Sequence, residues 1–263
     1  MLSLALTTAP AMPDSLDLAA QLLDVYRTRQ ALDARPETGP YDVAQAYAVQ
    51  RAVWREMTQG ARPAAWKVGA PNRHTEPTAA AVFPQRVTHA VAARSARFAA
   101  GEFLSLGVEA EIAVCFGCDL AARDEPYGAD EIRAAIASAH VAIELVDTRL
   151  ADADAAGPLW RLADSLLNGG LVIGAEIANW RDQTFSDLTV RIDVDGQRLI
   201  ETVGCQPLDD LLYCLPWWLA RNGGARAGDI VTTGAWNGMH RISMPAQIRV
   251  EFVGLGEAVA LVA

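Results

Sequence analysis

The sequence predicts an α+β fold, a β-rich body with a small helical segment at its amino-terminal end. Up to about residue 62, apolar residues recur at helical spacing. After Pro63 the texture changes, and short β-branched and apolar runs alternate with Gly, Pro and Asp turns. The chain has 263 residues, 51% of them hydrophobic and 21% charged, enough to bury one sizeable core. We therefore expect 1–62 to be a helical segment packed on a β-rich core formed by 63–263.

The first helix is predicted over 15–31, with Leu16, Ala19, Ala20, Leu23 and Tyr26 on one stripe and Asp14 or Ser15 as its cap. A second is predicted over 42–57 on Val43, Ala46, Tyr47, Gln50, Val53 and Trp54, capped by Asp42, with 35–41 as the connection. These helices read as packing pieces without chemistry. Strands are predicted at 65–69, 108–116, 141–146, 170–173, 188–194, 229–232, 247–252 and 258–262. Helices are expected at 129–139 and 208–221, the latter bent or broken at Pro216. Asp193-Val-Asp-Gly196 has the chemistry of a hairpin turn.

A net charge of −10 argues against a nucleic-acid or membrane-surface partner, because such a surface repels phosphate. It also requires local positive charge or a metal if the substrate is an anion. The four cysteines, Cys115, Cys118, Cys205 and Cys214, form no zinc pattern and read as free thiols. The stretch 1–13 is apolar but lacks a basic region, and no apolar run reaches the roughly 18 residues of a membrane span. The expected compartment is the cytoplasm.

The chemistry concentrates in Gly107-Val-Glu-Ala-Glu-Ile-Ala-Val-Cys115. Strand alternation puts Glu109 and Glu111 on one face, roughly 7 Å apart, with Val108, Ala110, Ile112 and Val114 on the other. Two adjacent carboxylates in so apolar a strand call for a cation between them; the alternative is an edge strand with two solvated glutamates. Glu144, a lone acid in Val141-Ala-Ile-Glu-Leu-Val146, would be a third oxygen ligand. Three carboxylates suit Mg2+ or Mn2+ better than zinc, since neither strand contains a histidine. His140 reads as a helix-end residue. Lys67, in Ala65-Trp-Lys-Val-Gly69, is the sole lysine among 22 basic residues. That points to a position where a compact ammonium serves and a guanidinium does not, unless one surface lysine simply survives there.

These pieces resemble the 2-keto-4-pentenoate hydratase and 4-oxalocrotonate decarboxylase branch of the fumarylacetoacetate hydrolase superfamily. The likeness runs from Ala46-Tyr-Ala-Val-Gln50 through Trp66-Lys-Val-Gly69, Val108-Glu-Ala-Glu-Ile-Ala113, Ile143-Glu-Leu-Val146 with Arg149, and Ala163-Asp164. It continues in Val172-Ile-Gly174, Pro207-Leu208, Trp218-Leu-Ala-Arg221, Gly228-Asp-Ile-Val-Thr-Thr-Gly234 and Gly254-Leu-Gly256. It implies a distorted β-rich barrel or roll as the core and a homo-oligomer built from dimers. It also implies metal ligands at Glu109, Glu111 and Glu144, an active-site lysine at Lys67, and substrate contacts at Thr233, Gly234 and Asp164.

The implied reaction is metal-dependent hydration of a 2-hydroxy-2,4-dienoate to a 4-hydroxy-2-oxo acid, in aromatic-compound catabolism. Alternatives are decarboxylation of a 2-oxo-enedioate, with Arg73 or Arg149 as candidates for a second carboxylate, and hydrolysis of an acylpyruvate by a His74–Glu76 pair. A further alternative is a non-catalytic subunit, since a decarboxylase can partner hydratases of this branch. The sequence departs from the branch in places. The aspartate expected between the lysine and the Glu-x-Glu strand is missing from Glu76-Pro-Thr-Ala-Ala-Ala-Val-Phe-Pro84. Ala163-Asp-Ser-Leu-Leu167 lacks two polar groups of the family pattern, and Met244-Pro-Ala246 replaces a Gly-Asp turn. The Trp217-Trp218 pair reads as core, and His240 as a loop residue.

Overall fold

Two long strands, β5 (Leu106–Phe116) and β7 (Ile136–Val146), form the centre of the fold, and the rest is arranged around them. Both are buried almost throughout on both faces, so their apolar residues lack the one-sided alternation of a surface strand. They pair antiparallel with Val108 opposite Leu145, Glu109 opposite Glu144 and Ile112 opposite Val141. A computed structural model describes residues 13–90, 95–204 and 208–263; Cys205, Pro207 and the terminal stretch 1–12 lie outside that description.

In chain order the strands are β1 (Ala65–Gly69), β2 (Thr78–Ala81), β3 (Val87–His89), β4 (Ala96–Phe98), β5, β6 (Leu120–Ala121), β7 and β8 (Asn168–Glu176). They continue as β9 (Thr189–Val194), β10 (Gln197–Val203), β11 (Gly224–Ala225), β12 (Ile230–Thr232), β13 (His240–Ile242), β14 (Ala246–Phe252) and β15 (Gly256–Val262). The helices are α1 (Ser15–Thr28), α2 (Val43–Thr58), α3 (Ala129–Ala135), α4 (Ala153–Ala156), α5 (Pro158–Ala163) and α6 (Leu215–Asn222). The main mixed sheet runs β2-β1-β12-β5-β7-β8-β3, with β13 also pairing β5. A second sheet runs β10-β9-β14-β15-β4 and packs on the first, while β6 and β11 form a short ribbon. This curled, mixed-sheet body with a helical flank is the expected α+β fold.

The second sheet does alternate. Ala246, Ile248, Val250 and Phe252 of β14 are buried, while Gln247, Arg249 and Glu251 are not. Its inner face meets the main sheet at Gly174, where a Cβ would lie 2.5 Å from Ala258 Cβ and 2.6 Å from Glu257 O. The predicted hairpin turn joins β9 to β10, with positive φ at Asp195 (51°) and Gly196 (74°).

The helical flank has its own apolar cluster, in which Leu18, Leu22, Ala46, Val49 and Val53 pack with Leu150, Trp160 and Leu162. Asp14 and Asp42 cap α1 and α2, accepting from Leu16 N and Gln45 N. Among the described residues no helix is long and apolar enough to cross a membrane.

Several expected elements differ. The buried stripe of α1 is Leu18, Ala19, Leu22 and Val25, and Leu16 is exposed, because packing against α2 fixes the rotation of the helix. The helix at 129 stops at Ala135, since β5 recruits the next residues by pairing Phe116 with Ile136 and Cys115 with Ser138. His140 therefore sits within a strand, its ring against Ser138 Oγ and Gly174 O. The helix predicted over 208–221 begins only at Leu215, so Pro216 lies in its first turn, where it is tolerated, and does not break it.

The substitution Gly174→Ala is expected to lower stability by ~1–3 kcal/mol in urea unfolding, because the added methyl overpacks the contact between the sheets. An unshifted midpoint would contradict that contact.

Candidate active site

The register of β5 and β7 sets the site. Glu109 and Glu111 emerge on one face of β5, and Glu144 lies directly across from Glu109 on β7. On the other edge of β5, β12 pairs with residues 113–115 and β13 with 106–108. The ladder is thus interrupted beside the two glutamates. The linking segment stays attached to β5 through Thr233 N to Ile112 O (3.1 Å) and Trp236 N to Ala110 O (2.9 Å).

Oxygen atoms of Glu109, Glu111 and Glu144 all lie within 4.8 Å of one another. Glu144 is fully buried, Glu111 is 2% exposed, and Glu144 Oε2 has no hydrogen-bond partner. At such separations each like-charge pair repels by about 3 kcal/mol at an effective dielectric near 20. Lys67, carried in by β1, forms an ion pair with Glu144 and lies 4.0 Å from Glu109. Three carboxylates against one ammonium leave a net charge of −2, which a divalent cation would balance. The orphaned Glu144 oxygen and this all-oxygen donor set fit a hard ion such as magnesium or manganese.

The ionisation equilibria register the same excess. Burial first, then Glu144, push Glu109 up to about 7. The same causes, joined by Glu109, raise Glu111 well above the carboxylate range. Burial pulls the Lys67 ammonium down, but Glu144, Glu109 and Glu111 outweigh it and leave Lys67 raised.

Lys67 Nζ also donates to Leu166 O at 2.9 Å. That carbonyl is presented by a strained turn, since Ser165, Leu166 and Leu167 all have positive φ (53°, 53° and 61°). Left-handed conformations of this kind cost non-glycine residues roughly 1–2 kcal/mol each. Asn168, which begins β8, aims its amide at Glu144 Oε1 across 3.5 Å.

Gly234 N donates to Glu111 Oε2 at 3.0 Å. The φ of +100° at Gly234 is what favours glycine there. A cavity of about 350 Å³ opens over these groups, lined by Lys67, Glu109, Glu111, Gly234, Arg161 and Met239 among others.

The remaining sequence candidates fall outside that lining. Thr233 is buried and donates its hydroxyl to Ile112 O. Asp164 is buried in an ion pair with Arg149 and accepts from Thr148 Oγ1 at 2.9 Å. Arg149 also donates to Asn168 O at 3.0 Å, so this pair braces the turn behind Lys67. Arg73 hydrogen-bonds Leu208 O and stacks on Tyr213, and Glu76 accepts from Trp217 Nε1.

Sequence reasoning missed Arg161, Met239, Asn168 and the Leu166 carbonyl. Of these, Asn168 carried a readable signal, an amide one residue beyond a motif that had lost its own.

The profile of the fumarylacetoacetate hydrolase C-terminal family matches residues 42–263, and the chain belongs to that family. Two curated relatives are 2-keto-4-pentenoate hydratases of Paraburkholderia phymatum and Burkholderia vietnamiensis, 31% and 30% identical over 153 residues. The chain spans only 57% of the length of each. A 4-oxalocrotonate decarboxylase from Pseudomonas putida G7, complexed with magnesium and adipate, superposes with a TM-score of 0.80 at 19% identity, over 95% of this chain and 97% of its own. A fumarylpyruvate hydrolase from Pseudomonas aeruginosa, in complex with Mn2+ and pyruvate, gives 0.57 at 17% identity over 76% and 88%. At such identities the structural likeness is one of fold. The sequence relatives and the nearly full-length structural match both fall in the hydratase and decarboxylase branch that the motifs resemble.

Two predictions follow from the charges. Carboxyls raised by folding add stability that is complete below their unfolded pKa of about 4.3 and is lost as pH rises through the folded value, about 7 for Glu109. Metal-free protein should therefore melt at a lower temperature at pH 8 than at pH 6, with magnesium restoring more at pH 8; equal melting at both pH values in EDTA would contradict the charge excess. Asp164→Ala, which strands a buried guanidinium, should cost ~3–5 kcal/mol, and adding Arg149→Met should recover much of it. A denaturant double-mutant cycle with no coupling would refute the bracing pair.

Proposed function

We propose that this chain is a divalent-metal hydratase that adds water to a 2-hydroxy-2,4-dienoate, giving a 4-hydroxy-2-oxo acid. The reading is carried by the convergence of Glu109, Glu111 and Lys67, which line an open cavity, with the buried Glu144 behind them. A magnesium or manganese ion held by those glutamates would supply Lewis-acid stabilisation of the developing enolate, worth several kcal/mol.

The chain's own groups then have separable parts. Lys67 has three donors; Glu144 and the Leu166 carbonyl engage two, leaving one for the substrate carboxylate. In this reading Lys67 orients the anion and answers how an acidic protein captures it. The Gly234 amide fixes the Glu111 carboxylate, and Asn168 does the same for Glu144. Thr233 holds its segment to β5. Asp164 acts at one remove, through Arg149, on the turn that anchors Lys67.

Net addition of water forms one C–O bond at C4 and two C–H bonds at C3 and C5, the protons coming from the water and from the enol hydroxyl, which becomes the 2-oxo group. No aspartate stands between β1 and β5, so the Lys67 ammonium is the titratable group positioned to donate one of these protons, and it is reprotonated by the proton that water or the enol hydroxyl releases.

One observation favours a second reading. Arg161 lines the cavity and, among the described residues, its side chain is tied only to exposed Asp154, so it is available to a second substrate carboxylate. A 2-oxo-enedioate that loses carbon dioxide uses the same enolate. Association with a decarboxylase subunit and assembly as a homo-oligomer of dimers belong to the same proposal.

The test follows the ultraviolet band of 2-hydroxypenta-2,4-dienoate with the purified chain, in magnesium and then in EDTA. Magnesium-dependent loss of the band is expected, with Glu111→Ala lowering the rate at least about a hundredfold. Turnover of a 2-oxo-enedioate alone would replace the hydratase reading with the decarboxylase one. Bound metal with no turnover of either would mark a non-catalytic subunit.

A further inference from the structure

A cavity of about 450 Å³, larger than the one over the glutamates, opens on the opposite face of β1. Adjacent strand residues point to opposite sides, so Trp66 faces this second cavity while its neighbour Lys67 faces the first. The walls are aromatic. Trp66 meets Trp218 edge to face at 6.0 Å between centroids, and Trp54 is held by stacking on Phe83 and by donation to Ala61 O at 2.7 Å. Tyr47 closes the same wall, its hydroxyl accepting from Ala79 N.

The charge of this cavity runs against that of the chain. The sequence has 32 acidic and 22 basic residues, yet the charged groups in the lining are Arg51, Arg55, Arg62 and Arg221, with no aspartate or glutamate. Two of them have internal partners: Arg62 pairs with Asp229, and Arg221 lies over the Tyr47 ring at 3.7 Å. Arg51 and Arg55 make no ion pair with any described residue. They stand one turn apart on α2, where like charges repel by a few tenths of a kcal/mol. Both are exposed at the rim of the cavity. Flat aromatic walls with paired, unengaged guanidiniums are complementary to an anion bearing a planar apolar body, because guanidinium grips a carboxylate bidentately and the rings supply buried area.

The two cavities share a wall. Ser165 lines the second, Leu166 and Leu167 line the first, and these are the three left-handed residues whose middle carbonyl anchors Lys67. We propose that the second cavity binds a small aryl carboxylate, and that its occupancy is transmitted to Lys67 through the Ser165–Leu167 partition. The binding half stands independently of the reaction assigned to the first cavity.

The experiment is calorimetric titration of the full chain with 2-naphthoate, in magnesium and excess oxalate so that metal-directed binding is competed away. One-to-one binding is expected, weakened at least tenfold in R51A/R55A and for the neutral analogue 2-naphthamide. Should the alanine pair fail to fold, R51Q/R55Q serves the same purpose. Equal affinity in the variant, an amide as tight as the acid, or loss of binding in oxalate would each overturn the site. For the coupling, hydrogen exchange of peptides covering 164–168 should slow several-fold on naphthoate binding in the wild type and not in the variant. Binding that leaves this exchange unchanged would overturn transmission through the partition. Neither measurement depends on turnover, so failure here is distinguishable from failure of the hydratase reading.

Discussion

The pairing of β5 with β7 brings Glu109 face to face with Glu144 in the least solvated part of the molecule, with Glu111 two residues further along. Register in a sheet is all or nothing, because a slip of one residue would turn the glutamates into the apolar layer and the apolar set into the cavity. Val108, Ala110, Ile112 and Val114, all buried on the opposite face, lock that register, so the apolar core and the acidic site are two consequences of one alignment. The charge accumulated there governs what surrounds it: an ammonium arriving from β1, a backbone amide from Gly234 and a side-chain amide from Asn168.

Holding these groups in place has a conformational cost that is met elsewhere in the fold. The turn from Ser165 to Leu167 keeps three residues in a region that L-amino acids avoid, and it persists because its neighbours over-determine it. Asp147 N donates to Leu167 O, Leu167 N to Asp164 O, and the Arg149–Asp164 pair clamps both ends. A buried ion pair of this kind contributes little net stability; its value here is positional. Asp164, met in the sequence as part of a motif, is better understood as a support for the lysine than as a substrate contact.

Much of this was readable in the chain because it obeys local rules. The Glu-x-Glu alternation, the isolated acid at Glu144 and the solitary lysine are visible without knowing what lies opposite. The caps at Asp14 and Asp42 and the Asp195-Gly196 turn are equally local. Partnership was not readable. Strands of three or four residues such as β2, β3, β4 and β13 exist because a neighbour offers hydrogen bonds, and residues 136–139 switch from helix to strand for the same reason. Arg161, on a short helix far along the chain from Lys67, enters the cavity only through tertiary packing. The α2 side chains that read as plain packing turn out to wall a second cavity.

One compositional oddity has a chemical corollary. Among the described residues every exterior ion pair is made by arginine, and with one lysine in the sequence the chain offers a single side-chain amine, 14% exposed beside the glutamates. Compounds carrying a reactive ketone condense with primary amines and not with guanidiniums. Under the 2-oxo acid reading proposed above, that leaves no other side chain on which such a compound can form an imine, and one buried in ion pairs is poorly placed to do so. The arginine-rich exterior thus keeps surface side chains from condensing with reactive ketones.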